Sequence, residues 1–314
     1  MRAIAIEQFG GRDQMALMDL PDPKVGPDSV LVRVATAGLN PVDWKMREGG
    51  LEARFPHRFP GILGWDAAGV VEQVGPAVVD FQPGDEVYVY ARKTEASEGT
   101  YAELLSVPDG MVARAPSSLS ATEAGAVPLA GLTALQALDD ALGVGEGDTV
   151  VVQAAAGGVG HFAVQIAAAR GARVVGVASE HKHDFVRSLG AQAVVDYRAG
   201  PVGEQLREHH PDGVDALFDI FGGDGLAEAR AAVREGGRVT SLADTDPAGD
   251  RDDLSGRYVF VRPSAAGLVE LGRLVDAGQL RVEIAERYSL DQAPAAHERL
   301  EDGHVRGKLV LEVA

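Results

Sequence analysis

The sequence predicts an α/β protein, with a parallel β-sheet that is covered by helices on both faces. Between residues 148 and 242, short apolar segments typical of strands alternate with segments that have helical spacing. A glycine-rich turn at 155–160 joins the first of these strands to the helix that follows it. The first 120 or so residues differ, because short β-like segments are separated there by Gly and Pro. They indicate a second, β-rich domain.

Length and composition favour a globular chain with two domains. The 314 residues exceed a typical single domain, and 46% hydrophobic with 24% charged residues is ordinary for a protein with a well-filled core. The 29 basic and 47 acidic residues give a net charge of −18. Such a surface repels phosphate backbones and anionic lipid, so we expect neither nucleic acid nor a membrane as a partner. A local basic pocket for one nucleotide is compatible with this charge.

The chain contains no cysteine, so it forms neither disulfides nor a thiolate-ligated metal site. Residues 1–10 alternate like a strand and lack the apolar centre of a signal peptide. No apolar segment reaches the ~18 residues that cross a bilayer. We therefore expect a cytoplasmic protein.

The order of the elements indicates a nested domain. A helix begins behind a Ser-x-x-Glu cap at 120–123, and the alternating strands and helices come next. We predict a β-rich domain at 1–122, an α/β domain at 123–259, and a return segment at 260–314 that completes the first domain. The strands expected in the middle domain are 148–154, 172–179, 191–197, 214–220 and 237–242, and the tail adds a strand at 257–263, a helix at 264–277 and a strand at 307–313.

The glycine-rich turn predicts a dinucleotide site. Compared with G-x-G-x-x-G, Ala155 stands in the first position, while Gly157 and Gly160 are in place. Dinucleotide binding needs a tight turn, a spot without a side chain for the pyrophosphate, and a helix N-terminus with free N–H groups. A plain structural turn is the alternative, but the strand–turn–helix context favours binding. The expected pyrophosphate site comprises Ala156, Gly157, Gly158, Val159 and Gly160.

The end of the second strand indicates which dinucleotide is bound. A carboxylate there would bind both hydroxyls of an adenosine ribose and favour NAD. Here the position is Ser179, followed by Glu180 and Lys182. A carboxylate ~4 Å from a 2′-phosphate would oppose it by up to about 4 kcal/mol at an effective dielectric near 20. Ser179 instead supplies a hydroxyl and Lys182 a charge, although Lys182 could also be a solvated charge at a helix start. We expect NADPH rather than NADH.

Seven segments together resemble one family. They are AAAGGVG, NPVDWK, GWDAAGVVEQVG, FQPGDEVY, GTYAE, AGLTALQAL and GHVRGKLVLEV. Across nearly the whole chain they are similar to the zinc-independent quinone oxidoreductases, a branch of the medium-chain dehydrogenase/reductase superfamily. The resemblance implies a GroES-like β-barrel catalytic domain with a nested Rossmann domain. It also implies a homodimer, or a homotetramer, joined through Rossmann edge strands, for which 257–263 is the candidate.

The resemblance also implies chemistry without a metal. Zinc alcohol dehydrogenases of this superfamily carry Gly-His-Glu where this chain reads Gly64-Trp65-Asp66, and they use cysteine ligands that this chain lacks. Without zinc to polarise a carbonyl, the acceptor has to spread charge onto a distant oxygen. The expected reaction is hydride transfer from NADPH to a quinone or to the C=C bond of an α,β-unsaturated carbonyl. One hydrogen-bond donor to that oxygen contributes about 3 kcal/mol.

The resemblance assigns roles to individual residues. Asn40 and Asp43 lie near the nicotinamide and the substrate, unless they only form a turn or a structural hydrogen bond, and Thr133 contacts the nicotinamide end. Lys45 stands where some relatives place a tyrosine, so it is either an oxyanion donor or a flexible, solvated lysine. The other implied cofactor residues are Tyr197 with Ser179 and Lys182 around the 2′-phosphate, Phe221 and Gly222 beside the nicotinamide, and Lys308 near the phosphates.

Two other functions remain open at this point. A trans-acting enoyl reductase of a polyketide or other natural-product pathway needs the same site with a larger pocket. A protein that binds NADPH without turnover, as in lens crystallins or RNA-binding relatives, belongs to a different class, and the charge of −18 counts against RNA. No residue pattern identifies a proton donor, and water can serve. The histidines without a partner pattern, expected at the surface, are His57, His209, His210 and His304.

Overall fold

The structure is a computed structural model that describes residues 1–313. The chain forms two compact units. Unit 1 comprises Met1–Leu132, Arg262–Gly278 and Val282–Ala314, and unit 2 comprises Thr133–Val261 and Gln279–Arg281. Unit 2 is therefore an insertion in the chain of unit 1. The finer domain limits at residues 122 and 259 stay a prediction.

Within the described residues there are sixteen strands and nine α-helices. The strands are β1 (Arg2–Ile6), β2 (Ala16–Asp19), β3 (Ser29–Gly38), β4 (Gly61–Ile62), β5 (Asp66–Val74), β6 (Glu86–Tyr90), β7 (Leu104–Pro108), β8 (Val112–Arg114), β9 (Thr149–Val152), β10 (Arg173–Val177), β11 (Ala193–Val195), β12 (Val214–Asp219), β13 (Val233–Ser241), β14 (Ser255–Tyr258), β15 (Ile284–Ser289) and β16 (Lys308–Glu312). The helices are α1 (Pro41–Arg47), α2 (Ala121–Gly125), α3 (Pro128–Leu135), α4 (Gly160–Ala169), α5 (His183–Ser188), α6 (Val202–His209), α7 (Gly223–Arg230), α8 (Ala265–Asp276) and α9 (Ala293–Glu301). None of these helices combines the length and apolar character that crossing a bilayer requires.

Unit 1 is built on two sheets. Seven strands form the larger one, in the order β15-β16-β3-β5-β6-β8, with β7 also paired to β3. Strands β2, β1 and β4 form the smaller one. Because β3 is covered on both faces, its sequence SVLVRVATAG is almost continuously apolar or small. The last strand, β16, lies inside the larger sheet, parallel to β15 and antiparallel to β3.

The helix α1 begins where its local sequence dictates. Asn40 precedes it in extended conformation, and Pro41 occupies the first helical position, where its missing N–H has no cost. The Asp43 carboxylate accepts a hydrogen bond from the Asn40 backbone N–H at 2.8 Å. This cap fixes Asn40 and Asp43 on one turn of the chain. The cap predicted at 120–123 is confirmed at the start of α2, where Ser120 and Glu123 bond reciprocally.

Unit 2 contains a six-stranded parallel sheet in the order β11-β10-β9-β12-β13-β14. In the unit's own chain order this is 3-2-1-4-5-6, the arrangement of doubly wound dinucleotide-binding sheets. Buried apolar residues from several of these strands, among them Val151, Leu217 and Val239, form one core cluster. The predicted α/β class with a parallel sheet is confirmed. In this order the direction of winding reverses between β9 and β12, and ligands bind at the carboxyl ends of strands at such a point.

Some elements differ from the prediction. The edge strand expected at 257–263 is β14, which begins earlier and ends at Tyr258. The helical spacing of GLAEARAAV predicts a helix over 225–233. This helix, α7, ends at Arg230, because Val233 pairs with Val214 in the parallel sheet and tertiary pairing overrides helical spacing. Strand β15 and helix α9 were not predicted, since their short segments carry few apolar residues.

Candidate active site

The loop between β9 and α4 forms the centre of the site in unit 2. Ala154 has a positive φ of 49°, a left-handed conformation that costs of order 1–3 kcal/mol for a residue other than glycine. A Cβ atom on Gly160 would lie 2.1 Å from the Ala154 carbonyl oxygen. Glycine at position 160 therefore permits the close approach of the helix to the turn, as the G-x-G-x-x-G pattern requires.

Gly157 has a different environment from Gly160. A Cβ atom there would meet the Ala154 carbonyl oxygen at 3.2 Å and the Ala154 Cβ at 4.0 Å, so a methyl group would require the turn to shift by a few tenths of an ångström. The N-cap residue Val159 makes no side-chain hydrogen bond to the first turn of α4. The positive end of the helix dipole thus stays available to an anion. The turn at Gly157 is less tightly packed than the turn at Gly160, and its backbone without a side chain, beside this helix end, fits a pyrophosphate group.

A carboxylate that the sequence did not single out connects the loops after β10 and β11. Ser179 follows β10 and is buried, while Glu180 is exposed. The Asp196 carboxylate accepts hydrogen bonds from the backbone N–H groups of Arg198 at 2.8 Å and Glu180 at 3.1 Å. The hydrogen bond from Arg198 is the main cause that lowers the pKa of Asp196. Ionised Asp196 therefore holds the Ser179 loop against its neighbour.

The residues predicted around the 2′-phosphate lie on these two loops, which follow adjacent parallel strands. The backbone N–H of Lys182 donates to the Ser179 carbonyl at 2.8 Å. The Tyr197 ring is exposed, and the Arg198 guanidinium lies 5.5 Å from its centroid. Arg198 adds a cation that sequence reasoning missed, although its place directly after Tyr197 is a usable signal.

The loop after β12 carries the residues predicted beside the nicotinamide. The buried Asp219 carboxylate accepts hydrogen bonds from the backbone N–H groups of Phe221 at 3.2 Å and Gly222 at 2.9 Å. The Ser241 hydroxyl donates to the same carboxylate and accepts from the backbone N–H of Ala243 at 3.0 Å. Asp219 and Ser241 thus join the loops after β12 and β13. The Phe221 side chain is left 73% exposed.

In unit 1, the Asn40 side chain is the centre of a buried polar cluster. Lys308 Nζ donates to Asn40 Oδ1 at 2.5 Å and to the Leu39 carbonyl oxygen at 2.7 Å. Asn40 Nδ2 donates to Asp66 Oδ2 at 2.9 Å, and Lys308 Nζ lies 3.9 Å from the same oxygen. Asn40, Lys308 and Asp66 are 2%, 3% and 0% exposed. A cation on the amide oxygen and a carboxylate on the nitrogen fix the orientation of the amide.

Burial dominates the charge states of this cluster. It raises the pKa of Asp66 to about 6, against the attraction of the Lys308 ammonium and the hydrogen bond from Asn40. It raises the pKa of Asp43 to about 7 and lowers the pKa of Lys308. The carboxyl groups of Asp43 and Asp66 and the ammonium of Lys308 have no net charge together when one of the two carboxyl groups is protonated. Burial raises the pKa of Asp43 further than that of Asp66, so Asp43 is the more readily protonated of the two carboxyl groups.

A chain of hydrogen bonds connects helix α9 with Asp43, and each group in it donates toward Asp43. Arg47 Nη1 lies 3.2 Å from His297 Nδ1, and since arginine only donates, Nδ1 is the acceptor. The ring hydrogen is then on Nε2, which lies 3.2 Å from the Tyr101 hydroxyl oxygen. Tyr101 in turn donates to Asp43 Oδ2 at 3.0 Å. Burial lowers the pKa of His297 to about 3, so the neutral ring that this chain requires is present at neutral pH.

This chain determines which oxygen of Asp43 carries a proton. Oδ2 accepts from Tyr101 and from the Asn40 backbone N–H. Oδ1 is buried and has no hydrogen-bond partner among residues 1–313. The protonated form therefore has its O–H at Oδ1. Tyr101 lies within the GTYAE segment, whereas nothing in the sequence signals His297 or Arg47.

Two predicted residues lie outside these clusters. Lys45 is exposed on α1, with its ammonium 5.6 Å from the centroid of the Trp44 ring. Thr133 is buried in α3 and is the first residue of unit 2. Their predicted contacts with substrate and nicotinamide stay predictions.

The histidines expected at the surface divide into two groups. His209 and His304 are exposed, while His57 and His210 are half-buried. The prediction is wrong for His57, whose ring packs edge-on against Phe9 at 4.9 Å and whose two ring nitrogens are both buried.

Related zinc enzymes have a zinc-ligating histidine at the position that Trp65 occupies in this chain. Here this position is part of the apolar core. Trp65 is buried and packs edge-on against Phe55 and Tyr90, with ring centroids 5.4 and 6.1 Å away. Over the part of the chain that the structure describes, no three His, Asp or Glu side chains are arranged to hold a metal ion. The neighbouring Asp66 carboxylate is occupied by Asn40 and by the Leu129 backbone N–H at 2.7 Å.

Family profiles and relatives agree with this architecture. The profile "Alcohol dehydrogenase GroES-like domain" matches residues 26–117, and the profile "Zinc-binding dehydrogenase" matches residues 189–311. The chain is 31% identical over 326 residues to the "Chloroplast envelope quinone oxidoreductase homolog" of Arabidopsis thaliana, covering 99% of this chain and 98% of the relative. It is 32% identical over 322 residues to the "2-methylene-furan-3-one reductase" of Solanum lycopersicum, covering 99% and 79%.

A solved structure adds a cofactor to the comparison. The native structure of a mycobacterial protein complexed with NADPH superposes with a TM-score of 0.88 at 27% identity, and 100% of each chain is covered. A GroES-like domain with a six-stranded parallel sheet inserted in its chain defines an oxidoreductase of the nicotinamide-dependent class. The chain belongs to the medium-chain dehydrogenase/reductase superfamily, in its NAD(P)H-dependent quinone oxidoreductase branch. The resemblance found in the sequence is thereby confirmed, while the cytoplasmic location stays a prediction.

Proposed function

We propose that the protein catalyses NADPH-dependent reduction of quinones, or of the C=C bond of α,β-unsaturated carbonyl compounds, and that protein groups stabilise the developing charge without a metal. The observation that carries this proposal is the Asn40 amide, held between the Lys308 ammonium and the Asp66 carboxylate. The printed name of the tomato relative, a 2-methylene-furan-3-one reductase, supports an enone as acceptor. The name of the Arabidopsis relative supports a quinone.

The loops of unit 2 fit the cofactor. NADPH, when bound, supplies a hydride for the electron-poor carbon of the substrate. We place its pyrophosphate on the turn that includes Gly157, where the backbone carries no side chain and a methyl group would meet the Ala154 carbonyl oxygen at 3.2 Å. The residues that would hold the remaining parts are Ser179, Lys182, Tyr197 and Arg198 at the 2′-phosphate, and Thr133, Phe221 and Gly222 at the nicotinamide.

The Asn40 amide would stabilise the charge that appears on the substrate oxygen. Addition of hydride to the β-carbon moves the π electrons of the alkene or quinone onto that oxygen. An N–H donor that is fixed in place would need no reorganisation as this charge develops, and such a donor is typically worth about 3 kcal/mol. Burial raises the pKa of Asp43 to about 7, and this favours the protonated form that avoids a second anion beside Asp66.

The residues around Trp65 argue for a metal-free reaction. The side chain that replaces the family's zinc-binding histidine is an indole packed in the core. Asp66 uses its two oxygens for hydrogen bonds from Asn40 and Leu129. A metal bound there would have to displace both.

We also propose a homodimer joined through β14. This strand forms one edge of the parallel sheet, and edge strands readily pair with a second chain. Pairing of two such edges would continue the sheet across the two copies.

The purified protein is expected to oxidise NADPH in the presence of 1,4-benzoquinone or 2-cyclohexen-1-one, with equal rates before and after treatment with EDTA. NADPH absorbance at 340 nm follows the reaction. Product analysis by mass spectrometry identifies reduction of the C=C bond. Turnover of simple secondary alcohols that a chelator abolishes would contradict the metal-free mechanism. Binding of NADPH without any turnover would instead favour the non-catalytic class, and a strong preference for enoyl thioesters would favour a trans-acting enoyl reductase.

The double variant Ser179→Asp with Lys182→Ala is expected to shift the ratio of kcat/KM for NADPH to that for NADH by at least about 100-fold toward NADH. The substitution adds a carboxylate and removes a cation beside the 2′-phosphate, and each change opposes the phosphate by up to a few kcal/mol. Steady-state kinetics with both cofactors measure the ratio. The variant Lys93→Ala, which removes a lysine of unit 1, serves as the control, and an unchanged ratio in the double variant would show that the phosphate pocket lies elsewhere.

A further inference from the structure

The Lys308 ammonium is buried for a reason that packing does not explain. A buried ammonium loses several kcal/mol of hydration, and apolar residues of similar volume often replace buried ion pairs without loss of stability. Lys308 is 3% exposed and gives its hydrogen bonds to Leu39 O and Asn40 Oδ1, with Asp66 3.9 Å away. A contact with a cofactor phosphate, as the family resemblance implies, would require these bonds to break.

The Asn40 amide has a donor left over. Its nitrogen carries two N–H groups, and within residues 1–313 it gives one hydrogen bond, to Asp66 Oδ2 at 2.9 Å. A cation at the oxygen of an amide withdraws electrons from its nitrogen, because chains of hydrogen bonds polarise one another at low dielectric. The second N–H is therefore a stronger donor than that of a free asparagine.

We propose that Lys308 is a positioning residue that acts through Asn40: it orients and polarises the Asn40 amide so that the second N–H donates to the substrate oxygen. Lys308 keeps its protons throughout and touches neither substrate nor cofactor. Asn40 is the catalytic residue of the pair. This inference rests on the proposed function, since it assigns the donor for the oxyanion of that reaction.

Steady-state and binding measurements on Lys308→Met and Lys308→Gln separate this role from phosphate binding. We expect kcat with 2-cyclohexen-1-one to fall by roughly 10- to 100-fold, while the Kd of NADPH, followed by its fluorescence, changes by less than about twofold. Arg306→Met, which removes an exposed cation two positions away, is the matched control and should retain both values. A large increase in the Kd of NADPH with unchanged kcat would overturn the proposal and support the phosphate contact.

A double-mutant cycle tests whether Lys308 acts through Asn40. Asn40→Ala removes the donor, so adding Lys308→Met should lower kcat little further. The kcat of the double variant should match that of Asn40→Ala within about threefold. If the loss of kcat in the double variant were the product of the losses in the two single variants, the two residues would act independently, and this would overturn the proposal. If Lys308 had only a structural role, Lys308→Met would lower the thermal stability of both the unaltered protein and Asn40→Ala, and its effect on kcat would not depend on Asn40.

NMR of the Asn40 side-chain amide tests the proposal without a variant at Lys308. Asn40 is the single asparagine of the sequence, so side-chain ¹⁵N labelling of asparagine gives one NH₂ signal without assignment. In the unaltered protein with NADP⁺, 4-nitrophenolate is the probe for an oxyanion, and we expect one amide proton of the pair to move downfield. A pair that does not move, whether the phenolate binds elsewhere or fails to bind, overturns the proposal even if the Lys308 variants do not fold.

Different results would contradict the proposed function and the role of Lys308. If neither quinones nor enones are reduced, the proposed function is wrong, whatever the NMR signal does. If they are reduced but kcat of the folded Lys308 variants is unchanged, the function stands and the role of Lys308 is wrong.

Discussion

Replacement of Gly160 by alanine is expected to destabilise unit 2 by about 3 kcal/mol or more, because the new methyl group meets backbone that has no room to move. The added Cβ would lie 2.1 Å from Ala154 O, 2.7 Å from Ala154 C and 2.8 Å from Ala155 Cα. These atoms belong to a turn that is already in an uncommon conformation at Ala154. The loop would have to separate from the start of α4, and the pyrophosphate site would be lost with it.

Gly157→Ala is the matched control and isolates binding from folding. Its Cβ would lie 3.2 Å from the nearest protein atom, so we expect a change in Tm of only a few degrees and a loss of NADPH affinity of at least about 100-fold, since even a one-ångström displacement in such a site has large effects. Thermal unfolding and fluorescence titration of NADPH measure the two effects. If Gly157→Ala bound NADPH normally, the pyrophosphate would not lie on this turn. If Gly160→Ala kept the stability of the unaltered protein, the close approach of helix and turn would be incorrect.

Asp43→Asn is expected to stabilise the protein at alkaline pH relative to the unaltered chain, and to have little effect near pH 4. Asparagine resembles the protonated carboxyl group, and its oxygen can accept the same two hydrogen bonds from Asn40 and Tyr101. Burial raises the pKa of Asp43 from 3.8 to about 7, so the unaltered protein has to bury an anion as the pH rises. Such a rise in pKa corresponds to a difference of at most about 4 kcal/mol between the free energies of unfolding of the two proteins.

The sign of this effect follows from proton binding. Between pH 4 and 7 the folded protein holds a proton on Asp43 that the unfolded chain has released, so the stabilisation is complete below the unfolded pKa and is lost as the pH rises through 7. Asp66, with a pKa raised to about 6, acts in the same direction. His297 acts oppositely, because its pKa is lowered to about 3 and protonation of the unfolded chain below pH 6.5 reduces stability. Arg47 and Lys308 are the cations that face this cluster.

Comparison with Asp43→Asn removes the contributions that the two proteins share. The free energy of unfolding, measured by urea denaturation from pH 4 to pH 9, should diverge between the two proteins from about pH 4 upward and reach a constant difference above about pH 8. Asp291→Asn, at a carboxyl group on the surface, should give a curve parallel to that of the unaltered protein. Parallel curves for Asp43→Asn as well would show that Asp43 is ionised throughout.

The sequence predicts well those features whose causes are local. The strand–turn–helix at 149–169 has its glycines, its apolar strand and its helix start within about twenty residues, so pattern and mechanism coincide there. The parallel sheet follows from the alternation of strands and helices. The resemblance also selects Asn40, Asp43 and Lys308, which the structure brings together in one cluster.

Features that depend on distant parts of the chain were not predicted. Arg47 bonds to Glu301 across 254 residues, and His297 reaches Tyr101 across 196, so no spacing in the sequence shows that they meet. Burial of Lys308 was also unexpected, since lysine is almost never fully buried unless it is paired, and its partner Asp66 lies on another strand. Asp196 was missed because its role depends on the pairing of β10 with β11.

The position of β16 has a consequence for how this protein is made. Asn40 leaves the ribosome 268 residues before the lysine that holds its amide, and the strand carrying that lysine also fills the interior of a sheet whose other strands are synthesised earlier. A nascent chain thus carries a gap in its largest sheet and two acidic side chains awaiting their counter-charge. A chain released before residue 308 would lack both the strand and the cation, so we expect it to complete neither the larger sheet nor the polar cluster around Asn40.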